Sequence, residues 1–401
     1  MAVGPASTEF KVVPGVRLAS TACGIKGQDE LDLVLLEFIE GSVTAGIFTQ
    51  SAFAAAPVLV GRRHLELTDS RYFLINSGNA NAATGDEGVS DAEGCCKALS
   101  QQTGARPEAV IPFSTGVIGE KLQVGKITDA LPEVTAGLRE NNWLVAARGI
   151  MTTDTRPKIA SRQFDVDGIT ITMTGIAKGA GMIQPNMATM LAYIATDARS
   201  SREFLNEALK RAADRSFNRI TVDGDTSTND SCMLTATGAS GTDVESGAAA
   251  ERFQAALDSL MQELAHAIVR DAEGATKFVA VEVKGGAEAE DCLRIAYSIA
   301  NSPLIKTALF ASDANWGRIV MAIGKAGVDL DISKIDIYVG DVRLMYQGGK
   351  DADYREEAGA AVMAEEEITI TVDLNAGEHH DTVWTSDLSH DYVSINADYR
   401  T

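Results

Sequence analysis

The stretch GITITMTGIAKGAGMIQPNMATMLAYIATD (residues 168–197) decides the reading of this chain. Ile169, Ile171 and Met173 alternate with threonines, the pattern breaks into glycines, and an apolar run resumes at MLAYIAT. Two strands flanking a tight, glycine-rich elbow account for that order. Gly179 and Gly181 permit backbone angles closed to other residues and Pro185 fixes another, so the chain can be held bent just ahead of Thr189. A threonine hydroxyl is a poor nucleophile unless a base stands beside it, and its own α-amino group is such a base once the residue is N-terminal. That amine titrates near ~7.7–8.0, close to working pH, which removes the need for a catalytic histidine. A glycine bend before a threonine is nevertheless common, and on the glycines alone the segment reads better as an ordinary turn between strands.

Outward from the elbow, the N-terminal part reads as strands joined by glycine-bearing turns. LDLVLLEFIEG (31–41) and SVTAGIFTQ (42–50) are expected to form a hairpin about a Gly-Ser turn. RYFLIN (71–76) is a third apolar run and leads into NSGNANAATGDEG (76–88), a Gly- and Asn-rich loop able to take left-handed angles. Ser200 with Glu203 reads as a capping box for a helix carrying Phe204, Leu205, Ala208, Leu209 and Ala212 on one face. A longer helix follows, with Phe253, Leu257, Leu260, Met261, Leu264 and Ile268 at helical spacing; its His266 reads as a helix-face or core histidine. KFVAVEVKGG (277–286) is a strand. A composition shift after Gly286 places a boundary there, giving a main domain of 1–286 and a C-terminal domain of 287–401. In the latter, GAEAEDCLRIAYSIANSPLIKTALF reads as helix, and VDLDISKIDIYVG and EEEITITVDLN as strands. The alternation argues for a layered α/β protein.

Composition removes several functions. With 35 basic and 56 acidic residues the formal charge is -21, spread along the chain, so a nucleic-acid partner is not expected. Five cysteines (Cys23, Cys95, Cys96, Cys232, Cys292) lack CxxC spacing and read as reduced thiols of a cytoplasmic protein, with no metal indicated. VDGDTSTND (222–230) carries three aspartates but lacks the spacing and terminal glutamate of a calcium loop, and reads as turn-making. No GK[ST] follows NSGNANAATG, so no phosphate cradle is expected. No apolar run approaches the roughly 18 residues of a membrane span, and the N-terminus has no cationic start before an apolar stretch.

The complete string KGAGMIQPNMATML (178–191) resembles the self-cleavage motif of the ornithine acetyltransferases, the glutamate N-acetyltransferases of arginine biosynthesis. Further stretches are similar to the same family in the same order: NSGNANAATG (76–85), STGVIGE (114–120), MTTDT (151–155), FNRITVDGDTSTND (217–230), EGATKF (273–278), SDANWGRI (312–319) and NADYRT (396–401). The resemblance spans the chain and implies a layered α-β sandwich of the ornithine acetyltransferase and self-processing aminopeptidase type, with a smaller C-terminal α/β region. It implies that the Thr189 hydroxyl attacks the Ala188 carbonyl and cuts the chain into α (1–188) and β (189–401). Thr189 would then carry the acetyl group, with Thr115 and Gly116 as the oxyanion hole. The substrate contacts it implies are Thr152, Lys178, Thr189, Glu273, Asn396 and Thr401, with Thr153 open as the alternative to Thr152. A lysine suits a substrate carboxylate and a glutamate the ammonium of ornithine. The reaction implied is ping-pong transfer from N2-acetylornithine to glutamate, without a cofactor, by an assembly of two α and two β chains. Acetyl-CoA as a further donor, and a related hydrolase releasing the acyl group to water, remain open beside it.

Overall fold

The computed structural model describes residues 2–184 and 190–398; the expectations on Pro185, Ala188, Thr189 and Thr401 lie outside the described residues. The first elements in chain order are strands β1 (Val16–Thr21), β2 (Leu33–Phe38) and β3 (Val43–Phe48), helix α1 (Ala56–Leu67), β4 (Tyr72–Asn79), α2 (Gly85–Thr103), β5 (Val110–Val117), α3 (Val124–Ala136) and α4 (Trp143–Gly149). Then come β6 (Lys158–Val166), β7 (Ile169–Lys178), β8 (Leu191–Thr196), α5 (Arg202–Arg215), β9 (Ile220–Thr221), β10 (Ser231–Ala236) and α6 (Gly247–Arg270). Two compact units emerge. The larger holds Ala6–Asn218 and Thr226–Ile268; the smaller holds Arg219–Asp225, the chain from Val269 onward and the extreme N-terminal residues up to Pro5.

In the larger unit one sheet has the order β1-β2-β4-β5 and the other β3-β10-β8-β7-β6. Their facing sides share one core: Val34, Leu36, Phe38, Phe73, Ile75, Ile111 and Phe113 from the first meet Ile159, Ile176, Leu191, Tyr193 and Met233 from the second. The rings of Phe73 and Phe113 pack edge-on at 5.3 Å, and Phe113 on Tyr193 at 5.0 Å. On the outer side of the first sheet, Leu33, Leu35 and Leu74 pack with Cys95, Cys96 and Leu99 of α2 and Ile127, Leu131 and Val134 of α3. On the outer side of the second, a Cβ at Gly175 would lie 3.0 Å from Leu260 and 3.2 Å from Leu264, so α6 rides closely over β7. The result is a helix–sheet–sheet–helix sandwich, the layered α/β architecture expected. Because both faces of β2 are covered, it opens as the apolar run Leu33–Leu36.

The expected elbow strands are present: β7 and β8 pair antiparallel, with Lys178 opposite Leu191. The β6–β7 hairpin turns at Asp167 (φ +51°) and Gly168 (φ +83°), an Asp-Gly pair suited to a two-residue turn with both central angles positive. Other local expectations change. β2 and β3 are not a hairpin: β2 pairs with β1 and β4, whereas β3 pairs with β10 in the opposite sheet. The turn near Gly41 (φ +85°) therefore carries the chain from one layer to the next. The cap of α5 is Ser201, whose hydroxyl accepts from the Phe204 N–H at 3.3 Å, one residue later than expected. Glu245 takes the reciprocal place on the Ser201 N–H because the third helical residue is then a phenylalanine.

The smaller unit continues with β11 (Phe278–Gly286), α7 (Ala289–Ala300), α8 (Pro303–Phe310), α9 (Trp316–Gly324), β12 (Asp336–Val339), β13 (Val342–Tyr346), β14 (Gly349–Lys350), α10 (Glu356–Met363), β15 (Glu367–Asp373), β16 (His379–Ser386) and α11 (His390–Asp398). Its seven strands run β14-β13-β12-β15-β11-β16-β9. In β15, Ile368, Ile370 and Val372 are buried while Glu367 and Thr369 are exposed, the alternation of a sheet covered on one side. The covering core takes Ile295 and Ile299 from α7, Leu309 from α8 and Ile323 from α9. The helix expected over 287–310 is two, because Pro303 holds Ser302 in an extended conformation and starts a new helix. Within VDLDISKIDIYVG only Asp336–Val339 is strand, preceded by a 3-10 turn at Ile332–Lys334. Among the described residues no helix is long and apolar enough to cross a membrane, and no cluster of three or more His, Cys, Asp or Glu could hold a metal ion.

Candidate active site

Gly78 and Gly116 lie opposite each other on the parallel strands β4 and β5, where the register slips by one residue. At Gly116 (φ +134°) an added Cβ would fall 2.3 Å from the carbonyl carbon of Gly78 and 2.6 Å from the Asn79 nitrogen. Backbone meets backbone there, and only glycine permits it. Gly78 (φ +99°) is closed in turn by Lys26 and Ile25. The NSGNANAATG segment explains how this approach is held: its first four residues finish β4, and the turn that follows, with Asn81 (φ +46°) and Ala83 (φ +57°) left-handed, is buried from Ala80 to Ala82. Buried turns need internal hydrogen-bond partners. Here Asn76 donates to the Asn79 carbonyl at 2.8 Å, Asn81 to Gly88 at 2.9 Å, and Asn229 to the carbonyls of Ala80 and Ser114 at 2.6 and 2.9 Å.

Thr115, next to Gly116 and buried, accepts a hydrogen bond from the Lys178 ammonium at 3.1 Å. Lys178 is the last residue of β7, opposite Leu191, so the chain rejoins the sheet alongside this lysine two residues after Thr189. The backbone bends where expected and in one place the glycines did not announce: φ is positive at Gly179 (+153°) and also at Met182 (+57°), an unusual angle for a side chain of that size.

Beneath Lys178 lies Asp154, the aspartate of MTTDT, to which the sequence alone assigns no task. Its side chain is fully buried and accepts from Lys158 Nζ at 2.5 Å, the Gly179 N–H at 2.8 Å and the Thr152 N–H at 3.0 Å. Burial alone pushes the Asp154 carboxyl up, but the ammoniums of Lys158 and Lys178 and the Gly179 N–H outweigh it and hold it well below the usual carboxylate range. One carboxylate thus fixes both the elbow at Gly179 and the loop at Thr152. Lys26 supports the same loop, donating to the Met151 carbonyl at 2.6 Å. Burial pushes the Lys26 ammonium down, while Asp32, Glu30 and Asp154 pull it back. The Lys26 backbone is set by Asp32, which is buried and accepts from the N–H groups of Cys23, Ile25 and Lys26 at 2.6, 2.6 and 3.0 Å.

Asp230 lies at the head of β10, just before Ser231, whose N–H donates to the Met190 carbonyl at 2.9 Å. Burial pushes its carboxyl far above the ordinary range, against the pull of Ser227 and Lys178.

The remaining predicted contacts occupy the smaller unit. Glu273 is buried in the turn after α6 and accepts from Asn396 Nδ2 of α11 at 2.6 Å. The structure therefore joins Thr115 with Lys178, ties Thr152 to the same Asp154 that braces the elbow, and joins Glu273 with Asn396. Lys26 and Asp32 are not legible in the sequence because their partners are backbone groups; Asp154 and Lys158 stand only four residues apart, but nothing local shows that the pair is buried or that it meets the Gly179 N–H. The one available signal was an aspartate within a motif otherwise made of small hydroxyl residues.

These features define a layered α/β enzyme that gathers a hydroxyl, an ammonium and a braced, bent backbone at its strand ends. The ArgJ family profile matches residues 17–401, and the chain belongs to that family. It is 55% identical over 393 residues to the arginine biosynthesis bifunctional protein ArgJ of Pseudomonas syringae pv. tomato, covering 97% of each chain. To the protein of the same name from Pseudomonas fluorescens it is 53% identical, covering 100% of this chain and 99% of the relative. Among solved structures, that of arginine biosynthesis bifunctional protein ArgJ from Bacillus halodurans shares 38% identity over 51% of this chain and 96% of its own, with a TM-score of 0.49. Ornithine acetyltransferase from Mycobacterium tuberculosis, solved with ornithine, shares 35% identity over 44% of this chain and 94% of its own, with a TM-score of 0.39.

Proposed function

We infer that this protein is an acyltransferase of arginine biosynthesis that moves an acetyl group from N2-acetylornithine to glutamate through an acetyl ester on Thr189. Membership of the ArgJ family across nearly the whole chain carries the reaction class. The single contact that favours the mechanism is Lys178 to Thr115, beside a glycine that no other residue could replace and at the point where the chain re-enters the sheet after the elbow.

In the proposed sequence the Thr189 hydroxyl first attacks the Ala188 carbonyl, the peptide becomes an ester, and water releases chains 1–188 and 189–401. The freed α-amino group then takes the hydroxyl proton as Thr189 attacks the acetyl carbonyl of the donor. Thr115, with its hydroxyl, and Gly116, with its N–H, stabilise the negative oxygen of the tetrahedral intermediate. Ornithine leaves, glutamate takes its place, and its amine accepts the acetyl group. Lys178 receives the substrate carboxylate, Thr152 or Thr153 and Thr401 supply polar contacts, and Glu273 with Asn396 receives the side-chain ammonium. The relatives are named bifunctional, which favours a second activity, and acetyl-CoA as a further donor is the reading that fits it. A cytoplasmic location and an assembly of two copies of each chain complete the reading.

The test offers acetylornithine and acetyl-CoA separately, with glutamate as acceptor and Thr189→Ala as control. Transfer from acetylornithine, its loss in the variant and a single uncut polypeptide in that variant are expected. Transfer by Thr189→Ala at the parental rate would overturn the mechanism, and release of acetate irrespective of glutamate would mark a hydrolase instead.

A further inference from the structure

In the smaller unit, Asp223 and Tyr392, which none of the predicted roles uses, are linked to Glu273 and Asn396. Tyr392, on the first turn of α11, donates from its hydroxyl to Asp223 Oδ2 at 3.1 Å. One turn later Asn396 donates both to the Tyr392 carbonyl at 3.0 Å and to Glu273 at 2.6 Å. The seat of this helix is narrow: at Gly274 (φ +69°) an added Cβ would stand 2.6 Å from Ser389 Oγ and 2.6 Å from the Tyr392 nitrogen. Ser389 also donates to the Gly274 carbonyl at 2.7 Å. The residue after Glu273 is thus fitted to the start of α11, and Tyr392 fastens that helix to the Arg219–Asp225 segment.

The charges around the phenol share one sign. Burial and then the carboxylates of Asp223, Glu273 and Asp225 push the Tyr392 hydroxyl up, so it stays a donor at any working pH. Burial, and then Asp223, also raises the Asp225 carboxyl. The nearby buried cation, Lys306, is occupied by Thr385 Oγ1 at 2.8 Å and by the Ser386 carbonyl. A region that concentrates carboxylates in this way favours a cationic ligand and disfavours an anionic one.

We propose that Asp223 and Tyr392 are positioning residues for the ammonium end of the donor: their hydrogen bond fixes the helix that sets Asn396 against Glu273, and so selects a substrate with a charged side chain. The inference rests on the proposed role of Glu273. A hydrogen bond to a charged group in a partly buried setting contributes enough for its loss to be read in binding.

The test uses the full processed protein with Tyr392→Phe, Asp223→Asn, the double variant and Glu273→Gln. Two donors are compared with glutamate as acceptor: N2-acetylornithine, and N2-acetylnorvaline, which has the same backbone without the ammonium, read as KM or as Ki where turnover is slow. Tyr392→Phe and Asp223→Asn are each expected to raise KM for acetylornithine about ten-fold, with kcat within about two-fold and the norvaline value unchanged. The double variant should be no worse than either single one, since both remove the same bond. Equal losses with both donors, a loss confined to kcat, or an unchanged KM overturns the inference. If Glu273→Gln discriminates between the donors while Tyr392→Phe does not, only the positioning role falls; if Glu273→Gln does not discriminate, the donor-site reading falls and takes this one with it.

Discussion

The two units hold their functional groups by different means. In the larger, Thr115 and Gly116 belong to a strand whose neighbour touches it backbone to backbone, and Asp154 locks the bend at Gly179 through a buried carboxylate. In the smaller, Glu273 is met by an exposed asparagine on a helix of nine residues, through one side-chain hydrogen bond. The contrast fits the demands of the proposed chemistry. Donors aimed at a developing charge must be placed to a fraction of an ångström before the reaction starts, and a sheet backbone does that. An ammonium on a flexible chain tolerates a softer receptor.

On that contrast, substitutions of the proposed oxyanion donors and their brace in the larger unit damage folding or kcat, and those at the Glu273 receptor in the smaller unit damage KM. Gly116→Ala should have the largest effect, destabilising the protein by about 3 kcal/mol or more in denaturant unfolding, because the new methyl meets the Gly78–Asn79 backbone of the neighbouring strand. Its transfer rate should also fall by roughly 10²–10³-fold. Asp154→Asn should cost about 3–5 kcal/mol by leaving the buried Lys158 ammonium without its counter-charge.

The pH dependence of that second loss has a definite sign. A carboxyl held below its unfolded value of ~3.9 contributes stability that is fully present above that value and disappears as pH falls through the folded one. The gap between parent and Asp154→Asn should therefore stay level from about pH 7 to 5 and narrow below about pH 4. A gap that widened on acidification would contradict the ionised assignment.

Thr115→Ala should lower kcat by roughly 10²–10³-fold with KM and stability little changed, as expected for a contact made in the transition state. Smallest of the four, Glu273→Gln should raise KM for acetylornithine by roughly ten-fold and leave its kcat near the parental value. Steady-state kinetics on both variants decides the matter. A kcat loss at Glu273 as deep as that at Thr115 would erase the distinction between the units.

The elbow was legible in the sequence because period-two alternation on both sides of a glycine cluster leaves few other structures open, and β7 and β8 pair as that pattern requires. The layered class followed from the same alternation along the chain. Sheet membership was not legible: apolar runs at 31–41 and 42–50 around a Gly-Ser turn look like a hairpin, and nothing local says that β3 pairs with β10 instead. The composition shift at Gly286 marks the end of β11, a strand inside the smaller unit's own sheet. At the candidate site, motif resemblance named Thr115 and Lys178, which the fold brings within hydrogen-bond distance of each other. It could not name Asp154 as the brace, because a buried carboxylate declares itself only through the lysines and N–H groups that the fold brings to it. Met182 likewise shows that bending at the elbow is imposed on a side chain as well as granted by glycines.

The central claim is that the Thr189 hydroxyl carries the acetyl group. Purified protein incubated with acetylornithine in the absence of glutamate, then digested and analysed by mass spectrometry, tests it directly. The account predicts an acetyl increment on the peptide that begins at Thr189, lost on adding glutamate as N-acetylglutamate forms. An unbroken, fully active chain with its acetyl group on another residue would contradict it.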